Sequence, residues 1–126
     1  MCKVILGYTS EGAAQMAKEL RFVMLLDCYG DLLTEHQRNV MELYYCEDLS
    51  LAEIGNPLGI TRQAVLSLIK RTENILLNYE EKLGFAERLS GIRACIDRIR
   101  SGADSIPDEK LRDNITDEID NISKLL

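Results

Sequence analysis

The sequence predicts an all-α chain with a helix-turn-helix over residues 50 to 71 and a helical extension behind it. Three observations lead there. Apolar residues recur at three- and four-residue steps through most of the 126 residues, the spacing of one helix face. β-Branched runs and Asn-Gly or Asp-Gly hairpin signals are absent. Two capping boxes, Thr34-Glu35-His36-Gln37 and Ser50-Leu51-Ala52-Glu53, mark helix starts ahead of apolar residues.

Residues 1–16 form a weakly patterned lead-in containing Gly7 and Gly12, expected either to be flexible or to extend the first helix. That helix is expected from about Ala14 to Tyr29, with Leu20, Phe22, Met24, Leu25, Leu26 and Tyr29 on a broad apolar face and Gly30 as a stop. The second starts at the Thr34 capping box, turns Val40, Met41, Leu43 and Tyr44 inward, and ends at Asp48 and Leu49. The Ser50 box opens a short third helix ending near Leu58. Gly59 supplies a turn, and Thr61 caps a long fourth helix that runs to about Leu83.

Residues 17–83 are therefore expected as the helix-turn-helix domain, and residues 84–126 as a C-terminal helical dimerisation segment. Beyond Gly84, Phe85, Leu89, Ile92, Ile96, Ile99, Ala103 and Ile106 alternate steps of four and three, a heptad seam. Ser105-Ile106-Pro107-Asp108 opens a last helix with Pro in its first turn, and Leu111, Ile115, Ile119, Ile122 and Leu126 form its stripe. The seam either packs within one chain or pairs with a second copy. The chain is short for burying so many isoleucines alone, so a homodimer is expected, with Phe85, Leu89, Ile92, Ile96 and Ile99 at its interface.

Composition narrows the function classes. A hydrophobic fraction of 46% is too high for a disordered chain. A net charge of −6 disfavours a simple non-specific nucleic-acid binder. The charge is unevenly placed, though: residues 61–71 hold Arg62, Lys70 and Arg71 and no acid, whereas residues 80–126 hold eleven acids and eight bases. A basic patch on an acidic body remains able to read DNA. Val4-Ile5-Leu6 is too short for a signal-peptide core, and no window approaches the length of a membrane span. A cytoplasmic location without membrane contact follows as the expectation.

Four cysteines stand at positions 2, 28, 46 and 95, none in CxxC spacing, and are expected as reduced thiols. The only histidine is His36, so no zinc site and no other metal or cofactor is expected. His36 beside a capping box reads as a surface residue rather than half of a dyad with Cys28 or Cys46. Adjacent acids such as Glu80-Glu81 and Asp117-Glu118 point apart on a helix and make no acid–base pair. No Gly-rich phosphate loop exists. An enzyme is not expected.

The informative segment runs from Leu51 to Leu68. A helix-turn-helix needs apolar residues filling the angle between two short helices, a tiny residue where they touch, and a glycine in the turn. Ile54, Leu58, Ile60, Val65 and Leu68 are the candidate fillers, Gly55 the contact residue and Gly59 the turn. The second helix of such a motif enters the major groove with its N-terminal residues at base edges. That assigns base contacts to Thr61, Arg62, Gln63 and Ser67, and phosphate contacts to Lys70 and Arg71.

Leu33-Thr34-Glu35-x-Gln37-Arg38, Leu43-Tyr44-Tyr45-x-Glu47-Asp48-Leu49-Ser50-Leu51-x-Glu53-Ile54, Gly59-Ile60-Thr61-Arg62-Gln63-Ala64-Val65 and Ile69-Lys70-Arg71-Thr72-Glu73, with Tyr29-Gly30 ahead of them, carry a resemblance. Over residues 17–90 the chain resembles the YlxM family, small bacterial proteins similar to region 4 of sigma factors. The resemblance implies a sigma-region-4-like helix-turn-helix, DNA as a ligand and no enzymatic activity. Through gene neighbourhood it also implies a link to the signal recognition particle, whose RNA or protein subunit is the alternative partner. The chain departs from the family in two places. Asn56-Pro57 replaces two polar helix formers, and residues 1–16 have no counterpart.

Overall fold

Side chains that cap helices open each helix of the motif region where the sequence placed them. The structure, a computed structural model, describes residues 10–126, with side chains from residue 18 onward. Among the described residues there are six α-helices, one 3-10 turn and no strand. They are α1 (Ser10–Tyr29), α2 (Glu35–Tyr45), α3 (Leu51–Leu58), α4 (Arg62–Leu83), α5 (Phe85–Ala103) and α6 (Glu109–Leu125). The 3-10 turn, Gly30–Leu32, joins α1 to α2. Helix α1 begins at Ser10, ahead of the expected Ala14, and the expectation for residues 1–9 lies outside the described residues.

The chain divides into two compact units at Gly84 and Phe85. In the first, α4 is the spine against which α1, α2 and α3 all pack. Its buried side is Val65, Ile69, Thr72, Glu73 and Leu76, the period of one helix face. Against it lie Phe22, Leu25, Leu26 and Tyr29 of α1, Val40 and Met41 of α2, and Ile54 of α3. Polar atoms at the edges of this core are paired. The Tyr29 hydroxyl donates to Glu80 Oε2 at 2.6 Å, tying the end of α1 to the far end of α4. The Phe22 and Tyr45 rings stack with centroids 5.4 Å apart.

Helix α2 ends at Tyr45, before the expected Asp48. Asp48 takes a left-handed φ of 54°, which turns the chain so that Leu49 N–H reaches Leu43 O at 3.0 Å. Asp tolerates that conformation better than most side chains, and the turn aims Ser50 at its capping role.

In the second unit α5 and α6 form an antiparallel hairpin, in which Ser123 and Leu126 lie beside Arg93 and Ile96. Ile96, Ala103 and Ile119 are buried, and Arg100 Nη2 bonds Asp120 Oδ1 across the pair at 2.9 Å. Asp108, not Pro107, begins α6: its carboxylate accepts from Leu111 N–H at 3.1 Å, so Pro107 precedes the cap instead of sitting in the first turn. The heptad seam divides. Ile96 faces the inside of the hairpin and Leu89 is half-buried, while Phe85, Ile92 and Ile99 remain exposed.

No helix among the described residues is long and apolar enough to cross a membrane. Among the same residues no group of three or more His, Cys, Asp or Glu side chains could hold a metal ion. Cys95 is an exposed free thiol that accepts from Arg98 Nη2 at 3.1 Å. Cys46 is disulfide-bonded, against the expectation of four reduced thiols, and the expectation for Cys2 lies outside the described residues.

Candidate nucleic-acid interface

The site is built from α3, its turn and the first turns of α4. Ser50 Oγ accepts from Glu53 N–H at 3.2 Å, and Glu53 Oε2 accepts from Ser50 N–H at 2.8 Å. Hydrogen bonding to the carboxyl from Ser50, its backbone N–H first and then its side chain, holds Glu53 below its ordinary range. The helix ends in a Schellman motif: Ile60 N–H bonds Gly55 O at 3.1 Å and Gly59 N–H bonds Asn56 O at 3.3 Å. Gly59 supplies the left-handed residue this motif needs, with φ 67°. Pro57 does not shorten the helix. It stands in the last turn, where α3 continues through Leu58, and removes only its own N–H bond.

Gly55 is the point of closest approach. A Cβ there would stand 2.6 Å from Ile60 O and 3.3 Å from Val65 Cγ2. Ile54 and Val65 are fully buried on either side, and Ile60 and Leu68 are half-buried. Leu58, the last residue of α3, stays 38% exposed.

Thr61 caps α4, its hydroxyl oxygen accepting from Ala64 N–H at 3.1 Å. Thr61, Arg62, Gln63, Ser67, Lys70 and Arg71 are all exposed. At 100° per residue, Gln63, Ser67 and Lys70 share one side of α4, with Arg62 and Arg71 at its borders. Arg62 forms no ion pair with the described residues. Arg71 bends back, Nε donating to Ser67 O at 3.4 Å. Lys70 is engaged: its Nζ lies 3.2 Å from Glu73 Oε2.

Glu73 and Tyr45 are the residues that sequence reasoning missed. Glu73 is 7% exposed, and it also accepts a hydrogen bond from the Tyr45 hydroxyl of α2. Burial first, then the bond to Glu73, pushes the Tyr45 phenol far above its usual range, so it stays protonated and keeps donating. The i, i+3 spacing of Lys70 and Glu73 was visible in the sequence. Tyr45 lies 28 positions before Glu73, and only the packing of α2 on α4 joins them.

A family model described as "Putative helix-turn-helix protein, YlxM / p13 like" matches residues 16–122. A UPF0122 protein of Clostridium kluyveri is 43% identical over 106 residues, covering 84% of this chain and 95% of the relative. One of Shouchella clausii is 41% identical over 108 residues, covering 86% and 96%. One of Desulforamulus reducens is 55% identical over 74 residues, covering 58% and 63%.

Proposed function

The chain belongs to the YlxM/p13-like helix-turn-helix family, and from that membership we propose that it is a DNA-binding protein with a regulatory role, acting in the cytoplasm and without catalysis. The observation that carries this reading is the first turn of α4. Arg62 and Gln63 are exposed beside the Thr61 cap, on a helix held at a fixed angle by Gly55. In a major groove Arg62 suits guanine N7 and O6, and Gln63 suits adenine N6 and N7. Thr61 and Ser67 offer hydroxyls to nearby base edges, and Lys70 and Arg71 suit flanking phosphates. The net charge of −6 repels the duplex elsewhere, so affinity depends on α4. The RNA or protein subunit of the signal recognition particle is the competing ligand, and no residue of the site favours it.

One titration series separates the two. Wild type, Arg62→Ala, Gln63→Ala and Lys70→Ala are titrated against DNA selected by the protein from a random pool, against random DNA, and against the particle RNA. Loss of Arg62 or Gln63 is expected to cost roughly 1–3 kcal/mol on selected DNA and little on random DNA. Loss of Lys70 weakens both evenly and flattens the salt dependence. Equal, weak DNA binding by all four proteins overturns the proposal, and tight binding to the RNA alone replaces it with the competing reading.

A further inference from the structure

Of the three cations near the start of α4, only Lys70 is paired with a carboxylate of the described residues. Arg62 forms no ion pair with those residues, and Arg71 turns one donor to the Ser67 carbonyl. Lys70 Nζ stands 3.2 Å from Glu73 Oε2. Glu73 is the only carboxylate between Arg62 and Tyr79, so this one acid meets the one cation that lies two turns beyond Gln63 on the same side of α4.

Packing does not ask for an acid there. Glu73 belongs to the buried side of α4 with Ile69, Thr72 and Leu76, where an aliphatic side chain would carry no desolvation cost. The carboxylate is instead held by Tyr45, whose hydroxyl donates to Oε1 and whose ring stacks on Phe22. Oε2 is left for Lys70. The Glu73 side chain is 9% exposed and that of Lys70 55%. The anion is therefore fixed in the protein, while the cation can be reached from solvent. An incoming phosphate meets a Lys70 that already has an anion.

We propose that Glu73 is a built-in competitor for the backbone phosphate at Lys70, setting how strongly the motif holds any duplex while Arg62 and Gln63 set which duplex it prefers. The inference rests on the DNA-binding reading and assigns a residue that tempers it. A phosphate contact carries no sequence information, so weakening it removes the same factor from selected and random DNA. When Lys70 turns to a phosphate oxygen, Glu73 loses its counter-charge and keeps only Tyr45. The exchange replaces one ion pair by another, which reduces both the gain in affinity and the net release of counterions.

The test is a double-mutant cycle on the full chain. Wild type, Glu73→Gln, Lys70→Ala and the chain with both substitutions are titrated by fluorescence anisotropy against a random-sequence duplex and a selected one, over a salt series, with circular dichroism to check folding. Glu73→Gln should bind both duplexes about two- to fivefold tighter, with a salt slope steeper by up to about one. In the Lys70→Ala background the same change should bring little gain. Tyr45→Phe keeps the carboxylate and removes its other partner, so it should weaken binding to both duplexes and flatten the slope; it carries the test should Glu73→Gln fail to fold. An unchanged affinity for Glu73→Gln, a gain confined to the selected duplex, or an equal gain with and without Lys70 overturns this proposal and leaves the DNA-binding reading standing. Absence of duplex binding by every protein in the series overturns both.

Discussion

At the scale of the residue, Glu73 links the interior to the exposed side of α4 that carries Lys70. A buried carboxylate is costly unless hydrogen bonds replace its water, and Tyr45 and Lys70 supply them. Tyr45→Phe leaves that carboxylate short of a donor and should cost about 1–3 kcal/mol of stability, read by urea denaturation. Lys70 is shared between Glu73 and any phosphate it meets. Glu73→Gln keeps an acceptor for Tyr45 but removes the competing charge, so the salt dependence of DNA binding should steepen by up to about one released counterion. An unchanged slope would show that Lys70 reaches no phosphate. Glu53 provides the pH dependence. Its carboxyl is held low by Ser50, so the capping box contributes above the unfolded carboxyl range and fades as pH falls through the folded value.

At the scale of the element, two glycines do different work, and substitution separates them. Gly55→Ala forces a Cβ against backbone at Ile60 O, where no flexible side chain can move aside. The helices must separate, so a loss of about 2–3 kcal/mol is expected, with weaker DNA binding because α4 changes angle. Gly59→Ala meets nothing within 4 Å and only has to adopt φ 67°, which costs about 1 kcal/mol and should leave DNA affinity nearly intact. Equal effects of the two on binding would refute a steric role for Gly55. Both glycines were legible because their offsets from the apolar positions are those the motif requires. The exposure of Leu58 was not, because a period gives the direction of a side chain at the helix end and not whether a neighbour covers it.

At the scale of the whole molecule, the heptad seam divides between the buried inside of the hairpin and an exposed side. Ile96→Ala empties a site inside the hairpin and should cost about 2–5 kcal/mol. Ile92→Ala, made at an exposed position, should change the stability of a dilute monomer by no more than about 0.5 kcal/mol. Melting curves at low concentration check the contrast, and similar losses at both positions would mean that the hairpin buries Ile92 as well. The sequence displayed all these residues as one stripe, because steps of three and four residues miss a full turn by only about 60° and 40°, in opposite senses.

The sequence by itself determined the helices, their caps and the outward side of α4. Caps, turn glycines and apolar periods act through neighbours three or four positions away, and the backbone obeys them before any distant contact forms. Thr34, Ser50 and Thr61 stand where their side chains satisfy orphan N–H groups, and Arg62 and Gln63 follow Thr61 into the exposed first turn of α4. Tertiary structure alone decided which carboxylate holds Lys70, which phenol holds that carboxylate, and which half of the seam is buried. Those choices join residues far apart in the chain. They depend on which helices pack together, and a period counts directions around one helix without naming the neighbour that lies in each.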